Sequence, residues 1–110
     1  MKSVEDQLLE FQTDDPEGKE RCGLILDGDR IIELENVAED PVKDFSTRPE
    51  DVAQYIDEAW ATWHTHPGGD SQLTNEDYHT FAAFKDFNHF IVGADKVSRY
   101  VEKDGAILNA

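Results

Sequence analysis

The chain has 110 residues, 38% of them hydrophobic, and carries a formal net charge of -15 from 25 acidic and 10 basic side chains. That length suits one domain spanning residues 1–110, and no apolar run approaches the roughly 20 residues of a membrane span. The charge repels nucleic-acid phosphates and anionic membrane surfaces, so neither is an expected partner, whereas a basic protein or peptide is favoured.

No secretory signal is visible after Met1-Lys2-Ser3, and the expected location is the cytoplasm. A single cysteine, Cys22, excludes an intrachain disulfide and reads as a small buried residue. Residues 3–11 predict an amphipathic helix, with Ser3 as N-cap, Asp6 three residues on, and Val4, Leu8 and Phe11 recurring at helical spacing. A charged Pro/Gly loop follows over 13–18. Residues 21–26 and 30–37 predict two strands around the turn Asp27-Gly28-Asp29-Arg30. Residues 38–49 form a loop with two prolines, and 50–58 predict a short helix presenting Val52, Tyr55 and Ile56.

Residues 59–63 predict a strand that runs into His64-Thr65-His66-Pro67. Residues two apart share one face of a strand, so His64 and His66 point the same way. Pro67, Gly68 and Gly69 turn the chain. Thr74-Asn-Glu-Asp77 then opens a helix expected to reach Lys85, with Tyr78, Phe81 and Ala82 on one face. Residues 87–94 predict a buried strand, and 96–101 with 105–108 a closing hairpin. The resulting class is α+β: a mixed, mostly antiparallel sheet with helices packed on it.

Two imidazoles and a carboxylate in the first turn of the next helix suit one Zn²⁺ per chain. His64, His66 and Asp77 would be the ligands, and three protein ligands leave a fourth position open, as in catalytic sites. Such a site needs a base and an oxyanion donor. The Thr74 hydroxyl is a candidate for the donor, and the base must come from elsewhere in the chain. Asp70, in a glycine-rich loop expected to be flexible, is the rival third ligand. His79, two residues past Asp77, should face away. His89 reads as structural.

His-x-His-Pro, six residues, then Ser/Thr-x-x-Asp resembles the JAB/MPN (JAMM) zinc metalloproteases. Here the pattern is His64-Thr-His66-Pro67, Gly68 to Leu73, then Thr74-Asn-Glu-Asp77. Thr74 stands where that family usually has Ser. Upstream, Lys19-Glu-Arg-Cys-Gly-Leu-Ile-Leu26 is similar to the family's Glu-x-Cys-Gly-Leu segment and implies Glu20 as the base, a residue otherwise indistinguishable from a solvated charge. The stretch from Leu34 to Asp51 is similar to the version of the domain in phage tail-assembly peptidases. The resemblance spans roughly residues 19–94. It implies a three-layer deaminase-like α/β/α sandwich and a zinc-dependent metallopeptidase or isopeptidase. Its substrate would be a protein or peptide, cleaved during phage tail assembly in the host cytoplasm or virion tail. The alternatives are an isopeptidase acting on a ubiquitin-like protein and a non-catalytic interaction module of the same fold. A zinc deaminase would want a Pro-Cys-x-x-Cys pattern, which one cysteine cannot supply.

Overall fold

The structure, a computed structural model, describes residues 2–84 and 86–110. A six-stranded mixed sheet forms its centre, built from β1 (Cys22–Leu26), β2 (Arg30–Leu34), β3 (Ala59–His66), β4 (Asn88–Gly93), β5 (Val97–Lys103) and β6 (Ala106–Asn109) in the order β2-β1-β3-β4-β5-β6. Neighbouring strands pair antiparallel except β3 and β4, which run parallel. A parallel pair needs a long crossover, and α3 (Asn75–Ala82) supplies it. The α+β class and mostly antiparallel sheet expected from the sequence are present.

Helix α1 (Val4–Leu8) is capped by the Ser3 hydroxyl, which accepts from Asp6 N at 3.1 Å, and it tightens into a 3₁₀ turn at Leu9–Phe11. Val4 and Leu8 press on one face of the sheet against Ile25, Ala61, Trp63, Phe90 and Val92. Strand alternation sends the neighbouring residues to the opposite face. There Leu24, Leu26 and Leu34 meet Val52 and Tyr55 of α2 (Pro49–Tyr55), while Phe81 of α3 packs with Ile91 and Tyr100. One helix thus covers one face and two cover the other.

Local chemistry sets most of the element ends. Pro49, expected in the loop, is the first residue of α2, where its missing N–H costs no hydrogen bond. The last hairpin closes on Asp104 and Gly105, both at positive φ, with Lys103 facing Ala106. That is the backbone twist a two-residue hairpin prefers, and it lets β5 run two residues further than expected. The predicted end of the third helix at Lys85 lies outside the described residues. Strand β2 stops at Leu34 rather than continuing to residue 37, because Asn36 takes over the hydrogen bonding. Its side-chain amide donates to the carbonyls of Glu20 (2.8 Å) and Asp44 (3.0 Å), and its oxygen accepts from Ala38 N and Ser46 N.

Gly23 in β1 has a packing reason. A Cβ there would lie 1.8 Å from the Ile32 carbonyl oxygen and 2.7 Å from Trp63 Nε1. The Trp63 indole donates to that carbonyl at 3.2 Å, directly over the glycine. The contact locks β1 between β2 and β3, opposite Trp63 and one residue along from the Cys22–His64 pair.

Candidate metal centre

Strand β3 carries the two histidines to its C-terminal end, with Thr65 between them facing the other way. Thr65 Oγ1 accepts from Arg21 N at 2.9 Å, and Thr65 N donates to Arg21 O at 2.9 Å. This exchange fixes the strand against the segment that holds Glu20. On the α3 side, His64 Nε2 and His66 Nε2 lie 3.1 Å apart. Asp77 reaches both from the first turn of α3: Oδ1 is 2.9 Å from His64 Nε2, and Oδ2 is 3.2 Å from His66 Nε2. His64 is buried and Asp77 nearly so.

Asp77 is placed by helix capping. The Thr74 hydroxyl accepts from Asp77 N at 3.1 Å while Asp77 Oδ2 accepts from Thr74 N at 3.2 Å, a complete capping box. The carboxylate that stabilises the helix start is therefore the one aimed at the histidines.

These three side chains could hold a metal ion. Nitrogen and oxygen ligands roughly 2.0–2.1 Å from a tetrahedral ion stand about 3.3 Å from one another. The 3.1 Å between the two Nε2 atoms is close to that edge length, while Asp77 faces each imidazole with a different oxygen; one ligand atom from each of the three residues lies within 4.8 Å of the others. Burial alone would push the Asp77 carboxyl up, but hydrogen bonds from both imidazoles hold it well below the usual carboxylate range. Burial pushes His64 down despite Asp77, favouring the neutral ring a metal needs. At His66, burial is outweighed by Asp77 and by the Asp70 carbonyl, and the ring is pushed up.

Asp70 does not join the cluster with its side chain. The reason differs from the expected loop flexibility: its carboxylate accepts from Gln72 N at 3.1 Å, closing a local turn, while its backbone carbonyl is 2.8 Å from His66 Nδ1. His79 is exposed on α3, away from the cluster. His89 is buried, stacked on Phe81 with ring centroids 4.0 Å apart, and 2.6 Å from the Thr62 hydroxyl. Cys22 is buried with its thiol pushed up to about 12 by burial, and its Sγ lies 3.8 Å from the Leu34 carbonyl. It is a core residue.

Glu20, His66, Thr74 and Asp77 line one cavity of about 580 Å³, together with Asp44, Phe45, Asp70 and Glu76. Glu20 is half-buried on the chain just before β1. Its N–H donates to the Pro41 carbonyl at 2.7 Å and its carbonyl accepts from Asn36, so its backbone is fixed from two sides. Burial pushes its carboxyl up to about 8; His66 opposes this, and Asp77, Asp44 and Glu76 add to it. A divalent cation at the adjacent cluster would act in the opposite sense, favouring the carboxylate. Thr74 Oγ1 uses a lone pair for the cap, which leaves its proton for another acceptor.

Two contributors were not foreseen. Phe45 stacks on His64 with centroids 4.5 Å apart and shields the ring from the loop side. Asn36 organises that loop. Both lie in the Leu34–Asp51 stretch that resembles phage tail-assembly peptidases, but nothing in the sequence assigns either a role.

No protein-family model matches the chain, and no curated protein matches it. Among solved structures it is similar to the solution structure of protein DSY2949 from Desulfitobacterium hafniense, with a TM-score of 0.69 and 20% sequence identity over 94% of this chain and 83% of that one. At that identity the likeness is one of fold alone.

Proposed function

We propose that the protein is a zinc metallopeptidase of the JAB/MPN type, with the deaminase-like α/β/α layering, acting on a peptide or isopeptide bond. The observation that carries this reading is the convergence of His64 Nε2, His66 Nε2 and the Asp77 carboxylate within 3.2 Å, beside a cavity that Glu20 and Thr74 also line. The donor set of two imidazoles and a carboxylate is that of zinc hydrolases. A bound zinc ion supplies a Lewis acid, able to lower the pKa of a water to about 7 and to polarise a carbonyl.

The chain's own residues take the remaining roles. Glu20, as carboxylate, accepts the proton of the attacking water and delivers it to the leaving amine. Thr74 donates its free hydroxyl proton to the oxyanion that develops on the scissile carbonyl. Phe45, stacked over His64, keeps bulk water from one side of the cluster. The acidic lining formed by Glu20, Asp44, Asp70 and Glu76 favours a substrate with basic residues near the scissile bond.

The test pairs metal content with cleavage. Wild type should bind about one zinc per chain and cut members of a proteome-derived peptide library. Glu20→Gln should bind zinc equally and cut none of them, since an amide cannot accept the proton. Zinc-loaded wild type that leaves the library and folded basic proteins intact would refute the peptidase reading. A wild type that binds no more zinc than His64→Ala would refute the metal centre.

A further inference from the structure

His66 has one ring nitrogen turned to the cluster and the other to the Asp70 carbonyl, 2.8 Å from Nδ1. A carbonyl only accepts, so Nδ1 carries a proton, and Nε2 is the nitrogen turned to His64 and Asp77. The direction of this carbonyl therefore sets how the ring is presented to the metal centre.

That direction is set by β5 and the turn that precedes it. Gly69 O, one residue before, accepts from Ala94 N at 2.7 Å. Ser71, one residue after, is fully buried. Its N–H donates to Asp95 Oδ1 at 3.1 Å, its carbonyl accepts from the Tyr100 hydroxyl at 3.0 Å, and its Oγ is 2.6 Å from Ser98 Oγ. Gly93 lets the two segments approach: a Cβ there would lie 2.4 Å from Ser71 N and 2.6 Å from the Asp70 carbonyl carbon. The peptide that holds His66 is thus clamped at both ends by the turn between β4 and β5.

We propose that Asp95 is a positioning residue for the metal centre, acting through Ser71 and the Asp70 carbonyl to fix the orientation of His66. The inference rests on the metal-centre part of the function proposed above. Outer partners of this kind matter because a ligating histidine whose second nitrogen is unsupported loses orientation and basicity. Asp95 is on the surface, and its carboxylate also accepts from Lys96 N at 2.8 Å. Replacing it leaves the core intact.

The experiment compares Asp95→Ala with Asp95→Asn, which keeps an oxygen acceptor for Ser71 N. Zinc affinity is measured against a competing chelator, and ¹H–¹⁵N spectra of the zinc-loaded proteins report how fast the His66 Nδ1 proton exchanges with solvent. Asp95→Ala should weaken zinc binding about 10-fold or more, and Asp95→Asn should restore most of the loss. The Nδ1 proton should exchange slowly in wild type and Asp95→Asn, and faster in Asp95→Ala. Ser98→Ala, which loosens the same serine from the other side, should move both readouts in the same direction. Equal affinity and unchanged exchange in Asp95→Ala, with wild type binding zinc, would overturn the proposal alone, as would an Asp95→Asn as weak as the alanine variant. If wild type itself binds no zinc, the metal reading fails and the proposal falls with it.

Discussion

Acidification should destabilise the protein through His89, a histidine outside the metal cluster. The ring is fully buried, stacked on Phe81, and bonded through Nδ1 to Thr62, and the Phe84 backbone and Glu102 offset its burial only in part. Burial, reinforced by His64, pushes its pKa down to about 4 from an ordinary 6.5. Between those values the unfolded chain binds a proton that the folded chain refuses. The contribution of neutral His89 is therefore complete above about pH 6.5 and lost as pH falls toward 4. At 1.36 kcal/mol per pKa unit, the loss between pH 7.5 and 4.5 comes to about 2.5 kcal/mol, a large share of a small domain's stability. Urea denaturation at the two pH values, with a chelator present so that release of a metal plays no part, measures it in wild type and in His89→Gln. The variant is less stable at pH 7.5 but should lose about 2.5 kcal/mol less on acidification. Parallel losses in the two proteins would show that His89 is not the acid-sensitive group.

Other variants separate the roles within the site. Asp77→Asn should cut zinc affinity strongly while α3 persists, because asparagine retains an oxygen for the Thr74 N–H; Asp70→Asn should change affinity little, since the Asp70 contact with His66 is through the backbone. Competition with a chelator distinguishes them, and the reverse result would make the loop aspartate the ligand. Thr74→Ala should keep zinc, cost roughly 1 kcal/mol in urea melts through the lost cap, and slow peptide cleavage by about 10²-fold. With a net charge of -15, the melting temperature should rise between low and moderate NaCl as self-repulsion is screened. A flat or falling melting temperature would show that specific ion pairs outweigh the net charge.

Some of this site was legible because its signals are local. The Thr74-x-x-Asp77 pattern is a helix start whatever else it does, and β3 alternation put both histidines on one face without knowledge of the neighbours. The hairpin turns at Asp27–Asp29 and Asp104–Gly105 were legible for the same reason. Glu20 was visible only through resemblance, because nothing in its own surroundings distinguishes it from 24 other acids among the 25 in the chain. What brings it to the cavity is Asn36, sixteen residues on, bonded to its carbonyl. The parallel pairing of β3 with β4 is likewise fixed by packing across the sheet and not by any local run of residues. Asp70 was rightly set aside as a ligand, but its backbone contact with His66 was not legible, because composition describes a glycine-rich loop as free. Here contacts from residues 93–100 hold it rigid, a constraint that arises more than twenty residues away in sequence.

The capping box of α3 has a consequence for motion. The helix is eight residues long, and only Asp77 and Phe81 of it are buried. A short crossover with so little buried surface belongs among the parts of a fold that open first, on their own, well below the free energy of global unfolding. Asp77 is also the attachment of its first turn to β3, through both histidines. An ion shared by the three would tie the crossover to the central strand, and the helix could then open only by giving up the ion. Amide exchange across α3 would consequently slow with zinc concentration as ligand linkage requires, as would the exchange of core amides that open only by global unfolding, since both events release the ion. Amides that exchange through openings which keep the ion would hold their rates, so α3 would report occupancy of the site through its local opening.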